Sequence, residues 1–433
     1  MNKRLLIVFL FTSSIFVRGQ EMSWSLQKCF DVALNNNIDI KIQQLEILRS
    51  KKNYTHPLLE LVPSVGLSAN HSYNFGSTID PNTNSRVSSD IQWDNVNLNA
   101  SINVLDFSNL STARKNKLEV ELSKADKEVI EYEYKLQLLE KYFEVLYSQE
   151  QLKIQKEQFK NTVYNLERIQ KEVEIGSKPK SDLYDMQFNF SQEENQILVS
   201  EQLYEYQKKE LFQLMNDNET TTKNVILEPY FATNSNENNV EITNNPKLDF
   251  AEINYKSSKK EVGVLRGDNL PTLSAFYGFS TFYSAPINQP NVVVDDFRTQ
   301  FDNNKYHQAG LQLQIPIFTG FKHNRRIAAA KIQTEKTKWE VEQEKIKINQ
   351  QIELEKTQKN NYLQRNQKLK NSLDLAEKMF TTSQAKFLTG KTDAVVFSTI
   401  KNQRLNAEYE VLKNDLLFQY TSVRINLLTK NQL

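Results

Sequence analysis

Few residues in this chain have the type and spacing needed for covalent chemistry. The four histidines, His56, His71, His307 and His323, are scattered without metal-ligand spacing. No Ser-His-Asp arrangement can be argued. The single cysteine, Cys29, excludes a disulfide framework and any cysteine-based metal knuckle. It shares an apolar helical face with Leu26, Phe30, Ala33 and Leu34, where it reads as a small buried hydrophobe. The carboxylates that stand out are Asp182, Asp185 and Asp393, each placed just after a Gly-containing turn at the start of a helical stretch. In an oligomer each would become a ring, and carboxylate rings around a constriction select cations and can set a gate. Asp182 and Asp393 fit plain helix caps equally well. The expectation is a protein without catalytic residues, cofactor or metal.

The elements that must position these residues belong to an unusual chain. It has 433 residues, 54 Lys+Arg against 53 Asp+Glu, a net charge of +1, 39% apolar residues, 10 Gly and 10 Pro. The apolar share falls below the ordinary ~45–50% of soluble domains. So few glycines disfavour phosphate loops and dinucleotide-binding turns. A near-zero net charge gives no footprint for nucleic acid. What remains is a long-helix protein, or one whose apolar surface is completed by other chains or by lipid.

Lys3 and Arg4 precede an apolar run from Leu5 to Val17, too short to span a bilayer as a helix. Residues 1–19 are therefore read as a signal peptide cleaved before Gln20, implying export from a bacterial cytoplasm. No other segment reaches the length of a transmembrane helix, so any membrane insertion must use strands.

The rest reads as one unit written twice. Asn37-Ile38-Asp39-Ile40 matches Asn245-Pro246-Lys247-Leu248, and Leu61-Val62-Pro63-Ser64-Val65 matches Asn269-Leu270-Pro271-Thr272-Leu273, both at an offset of 208. Asp106-Phe107-Ser108 matches Ile317-Phe318-Thr319. Each half runs helix, strand, loop, strand, very long helix, turn, helix. The first repeat is placed at 20–217, a linker at 218–245 and the second repeat at 246–433.

Four segments, 64–75, 92–105, 272–283 and 306–317, alternate with a period of two over about the length of a tilted membrane strand. Val96, Leu98, Ala100, Ile102 and Val104 face one way, with Asn97, Asn99, Ser101 and Asn103 opposite. The polar face is Asn, Gln, Ser and Gly, as in a wet lumen. Tyr73, Phe75, Trp93, Phe279, Phe282, Tyr283 and Tyr306 cluster toward one end and are read as an interfacial girdle. The connections 76–90 and 284–304 are read as long outward loops. Four strands cannot close a barrel, and an open edge cannot be solvated by lipid, so several copies must share one cylinder.

Between Phe107 and Gly176, and again between Phe321 and Gly390, there is neither Gly nor Pro. Each stretch spans about 100 Å as a helix. Leu118, Leu122, Ala125, Val129, Tyr132, Leu136 and Leu139 alternate three- and four-residue steps, a coiled-coil seam. Helical hairpins are expected over 108–216 and 319–429, preceded by single helices over 24–61 and 246–266.

These features together resemble the TolC-like outer-membrane efflux family. Leu26, Cys29, Ala33, Leu34 and Asn36-Asn37 are similar to its opening pattern. Leu270-Pro271-Thr272-Leu273 is similar to its helix-to-strand junction, and Ile315-Pro316-Ile317-Phe318-Thr319-Gly320 to its strand-to-helix signature. Phe387-Leu388-Thr389-Gly390 with Asp393 resembles its hairpin tip; Val396 stands where relatives often carry a second Asp. The resemblance implies a membrane β-barrel of twelve strands shared by a homotrimer, four strands per chain, on a long α-helical coiled-coil tunnel crossing the periplasm of a Gram-negative cell. It also implies an outer-membrane lipid setting, an acidic constriction at Asp182, Asp185 and Asp393, a periplasmic adaptor (membrane fusion) protein and an inner-membrane pump of RND, ABC or MFS type. Ile175, Gly176, Ser177, Phe387, Leu388, Thr389, Gly390 and Lys391 become the adaptor-contact candidates. The function implied is passive conduction through an exit duct for efflux or type I secretion. The alternatives are a periplasmic coiled-coil adaptor, which would need a Gly-rich β-domain, and an exported hydrolase, which would need a nucleophile.

Overall fold

The computed structural model describes residues 22–88, 90–217, 225–230, 242–287 and 292–432. The expected signal peptide and most of the expected linker (218–224 and 231–241) lie outside the described residues. The elements in chain order are β1 (Met22–Trp24), α1 (Leu26–Asn36), α2 (Ile38–Asn53), a 3-10 turn (Pro57–Leu61), β2 (Ser64–Asn74), β3 (Ser77–Ile79), β4 (Arg86–Ser88), β5 (Ile91–Leu105), α3 (Phe107–Glu174) and α4 (Lys180–Leu214). There follow β6 (Val225–Leu227), α5 (Pro246–Gly267), β7 (Thr272–Pro286), α6 (Phe297–Asn303), β8 (Tyr306–Gln314), α7 (Lys322–Leu388) and α8 (Ala394–Lys430). The order helix, strand, strand, long helix, shorter helix thus recurs. Among the described residues no helix is long and apolar enough to cross a membrane.

The chain divides into two compact units that cut across the repeats. One unit takes residues 43–127 and 247–345; the other takes 1–42, 128–246 and 346–433.

The first unit holds a four-stranded antiparallel sheet in the order β2-β5-β7-β8. The register puts Leu67 opposite Leu98, Leu98 opposite Phe279, and Ala275 opposite Leu311, so one face is mainly apolar, with His71, Asp94 and His307 toward one end of it. Ser68, Asn97 and Ser280 line up on the other. Because side chains alternate strictly along a strand, this pairing gathers most aliphatic residues on one side, while Trp93, Phe276 and Phe282 fall among the polar ones. The edges β2 and β8 have no partner strand among the described residues.

Several sequence expectations need correction here. β8 stops at Gln314 rather than 317, because Pro316 lacks an N–H and holds Ile315 out of a ladder. β7 runs on to Pro286. The girdle is split: Tyr73, Phe279 and Tyr283 share the apolar face, whereas Trp93 and Phe282 stack at 4.7 Å on the polar face. The connections carry structure of their own, a β3–β4 hairpin and helix α6.

The helical unit is built on the absence of breakers. α3 runs 68 residues and α7 runs 67, with no interior Gly or Pro. The N-terminal helix, expected to be continuous, breaks at Asn37. Its N–H donates to the Ala33 carbonyl (3.0 Å), closing α1, and its side-chain oxygen accepts from the Ile40 N–H (3.0 Å), opening α2. Asn competes for backbone groups in just this way. α1 buries Leu26, Cys29, Phe30 and Ala33 on one stripe. They pack with Leu138, Leu139, Tyr142 and Leu146 of α3, Leu211 and Phe212 of α4, and Leu427 of α8. A parallel pair, β1 with β6, closes this root core. The Tyr142 hydroxyl donates to the Glu228 carbonyl at 2.6 Å, just beside that pair.

Candidate functional site: the hairpin tips

Two turns connect the long helices to their returning partners, and they share one hydrogen-bond scheme. At the end of α3, Gly176 N–H donates to Val173 O (3.0 Å) and Ser177 N–H to Glu172 O (2.8 Å). At the end of α7, Gly390 N–H donates to Phe387 O (3.2 Å) and Lys391 N–H to Lys386 O (2.8 Å). Both are Schellman caps, which need a residue at positive φ just past the helix. Gly176 sits at φ +75° and Gly390 at φ +71°, a region where a side chain is strained.

The returning helices start differently. Asp393 is the N-cap of α8, and its carboxylate accepts from the Val396 N–H at 2.8 Å. Asp182 does not cap α4; the N-cap is Pro179, which has no side chain able to accept. Asp182 instead lies inside the first turn, 3.3 Å from the Lys178 ammonium, and Asp185 follows half-buried. The capping reading therefore holds for Asp393 and fails for Asp182, because the helix opens two residues earlier than expected.

The two tips meet in a small core. Ile169 of α3, Met186 of α4, Phe380 and Phe387 of α7, and Ala394 and Phe397 of α8 are buried together. Phe387 and Phe397 stack face to face at 4.6 Å. The Arg168 guanidinium lies 4.9 Å above Phe387, and the Lys178 ammonium 5.1 Å from the same ring. Arg168 also donates to the Leu388 carbonyl (3.3 Å), tying α3 to the end of α7. Each cation–π contact contributes about 0.5–2 kcal/mol. Of the contact candidates, Ile175, Gly176, Ser177, Leu388, Thr389, Gly390 and Lys391 are exposed; Phe387 is buried and supports the turn from inside.

Further along the hairpins, Lys401 of α8 is only 4% exposed. Its ammonium donates to Thr162 of α3 (2.5 Å) and pairs with Glu193 of α4. Burial pushes its pKa down, and the Glu193 charge opposes that shift. A polar cavity of about 430 Å³ adjoins this pair, lined by Gln155, Gln158, Glu193, Gln196, Asn402 and Tyr409 among others. Arg168, Lys178 and Lys401 escaped the sequence reading. The signal for Lys401 was present: it falls four residues after buried Phe397, a charge on an apolar stripe.

The comparisons with known proteins agree with this architecture. The family model described as "Outer membrane efflux protein" matches residues 30–217 and 239–429. The chain belongs to that family, whose structural relatives are channels rather than enzymes. No curated protein matches it in sequence. Among solved structures, the Campylobacter jejuni CmeC outer membrane channel is similar with a TM-score of 0.75 at 17% identity, covering 93% of this chain and 85% of that one. VceC, an outer membrane protein of Vibrio cholerae, gives 0.76 at 13%, covering 93% and 96%. The open-state MtrE outer membrane channel of Neisseria gonorrhoeae gives 0.71 at 16%, covering 96% and 93%. At these identities the likeness establishes the fold.

Proposed function

We propose that this efflux protein acts as a homotrimeric exit duct. Three four-stranded sheets close into one twelve-strand barrel in the outer membrane, and the helical hairpins form a tunnel wall in the periplasm. Substrate passes through without chemistry on it, and energy comes from an inner-membrane pump joined through a periplasmic adaptor.

The observation that carries this reading is the open sheet. It has an apolar face, a polar face and two edges, β2 and β8, without a partner strand among the described residues. Lipid offers no hydrogen bonds to such edges, so closure with further copies is the stable solution. The exposed stripe of Ile38, Ile42, Leu45 and Leu48 on α2 supports it, since neighbouring copies would cover that stripe. Asp182, Asp185 and Asp393 would then form acidic rings at the constriction, and Ile175, Gly176, Ser177, Leu388, Thr389, Gly390 and Lys391 would meet the adaptor.

Mass measurement of detergent-extracted protein tests the assembly: a trimer with heat-modifiable gel mobility is expected, and a water-soluble monomer refutes it. For the rings, Asp182→Asn with Asp393→Asn removes two charges while Asn keeps the cap. The expected outcome in planar bilayers is a weaker cation preference. Unchanged reversal potentials would remove the gate assignment.

A further inference from the structure

The two edges of the sheet are not flush. Straight across it, Ser64 of β2 stands opposite Ser101, Ser101 opposite Phe276, and Phe276 opposite Gly310 of β8. If a neighbouring copy docked with no offset, Gly310 would meet its Ser64, and the end of β8 would run past the start of its β2. Side-chain alternation allows only even offsets, because an odd one would set the apolar face of one copy against the polar face of the next. An offset of four residues places Tyr306 opposite Ser72 and Gln314 opposite Ser64, so every residue of β8 finds a partner. Four residues of rise across the four strands is also a tilt of about 35°, inside the usual ~35–45° of closed barrels, whereas two residues give about 20° and six about 47°.

In that register His307 of one copy stands directly opposite His71 of the next, on the same face, with Cβ atoms about 4.5–5.5 Å apart. Both rings are already oriented through the same nitrogen. The His71 Nδ1 is bonded to the Asp94 carboxylate, and the His307 Nδ1 lies 2.8 Å from the Tyr277 hydroxyl. Tyr73 packs edge-on to His71 at 4.8 Å, and Phe279 lies 5.0 Å from His307. An ionised carboxylate only accepts, so the neutral His71 ring carries its proton on Nδ1 and keeps a bare lone pair on Nε2. The Tyr277 oxygen can accept in the same way and leave the His307 Nε2 bare. Neither Nε2 has a hydrogen-bond partner among the described residues. An imidazole held at one nitrogen by an oxygen acceptor and bare at the other is the usual support of a metal-ligating histidine. Within one chain no group of three metal-ligating side chains occurs among the described residues, so this pair forms only between copies.

We propose that His71 of one copy and His307 of the next bind a divalent transition-metal ion through their Nε2 atoms, and that the ion clamps the β8–β2 seam between copies. The inference rests on the trimeric reading, which brings the two edges together. Two imidazole nitrogens at about 2.0–2.1 Å with water in the remaining positions suit zinc. Imidazole also suits nickel and copper, and it disfavours magnesium and calcium, which take oxygen. Asp94 and Tyr277 touch no metal; they are positioning residues that fix the two rings.

The test is calorimetric titration of the detergent-extracted, chelator-stripped full chain with zinc, alongside its oligomeric mass. One ion per seam is expected in the trimer, and His71→Ala and His307→Ala should each abolish that binding while the chains still assemble. Asp94→Asn should weaken it about tenfold or more by loosening the His71 ring. Trimers assembled from both alanine variants, isolated through two different tags that carry no histidine, should regain it, because a seam between unlike chains can restore one intact pair. A trimer that binds no zinc, or whose binding survives either alanine variant, overturns the clamp and leaves the duct reading standing. Loss in both variants without recovery in the mixed trimers overturns the register, by showing that the two rings do not meet across a seam. A monomeric chain in detergent would remove the duct reading and the clamp with it.

Discussion

The helical unit has two apolar cores, and they differ in kind. The root core around Tyr142 is large, draws on α1, α3, α4 and α8, and admits polar atoms chiefly as tyrosine hydroxyls resting on backbone carbonyls, such as Tyr134 on Leu214 (2.5 Å). The tip core has six buried residues and is ringed by Arg168, Lys178 and Arg404, each stacked over a phenylalanine. Local stability tracks buried apolar contact, so the tips belong to the low-stability end of the molecule. A hairpin held at its end by a few rings and cations can rearrange there while its root stays packed.

Four experiments would break or sharpen this contrast. The largest effect is expected from Phe387→Ala, which should cost about 3–5 kcal/mol of tip stability. Hydrogen exchange should accelerate at 166–186 and 380–400 and stay unchanged around Leu138–Leu146; equal loss of protection at the root would end the distinction between the cores.

The root responds to alkali instead. Burial raises the Cys29 thiol from its usual value of 9.0 to about 12, so the unfolded chain releases this proton first. The thiol's contribution is therefore complete below pH 9 and lost as pH rises toward 12, by about 4 kcal/mol in all. The buried Tyr142 phenol, also raised, adds in the same direction. Thermal unfolding of Cys29→Ala should show a flatter slope over that window, and an unchanged slope would remove Cys29 as its source.

Lys401→Met leaves Glu193 with the Thr162 hydroxyl but no counter-charge and should cost about 3 kcal/mol, while the double change with Glu193→Met should recover most of it, as for buried ion pairs elsewhere. Chemical denaturation of both variants decides. Smallest are Gly176→Ala and Gly390→Ala, about 1 kcal/mol each and equal, because both residues hold the same left-handed cap. A clear inequality in melting would show that the two turns do not share one scheme.

Much of this was legible in the residues. The long helices follow from stretches free of Gly and Pro, and the strands from a strict two-residue alternation that no helix reproduces. The Schellman turns follow from Gly176 and Gly390. What stayed hidden depends on partners distant in sequence. The β1–β6 pair joins three residues to three others some two hundred positions away. The break at Asn37 needs two local hydrogen bonds to outcompete a helix that propensity alone would continue. Asp182 loses the capping role because α4 opens at Lys180, just after Pro179, which leaves the aspartate inside the first turn. α6 is too short for periodicity to announce.

The polar side of the sheet contains asparagine, glutamine, serine and glycine, with Phe276 lying flat on Gly310 and not one ionised group among its strand residues. In the duct proposed above, that stretch offers a traveller dipoles and rings of neither sign. A cation and an anion of equal size would cross it on equal terms, so any sorting by sign must be finished before the cargo reaches these strands.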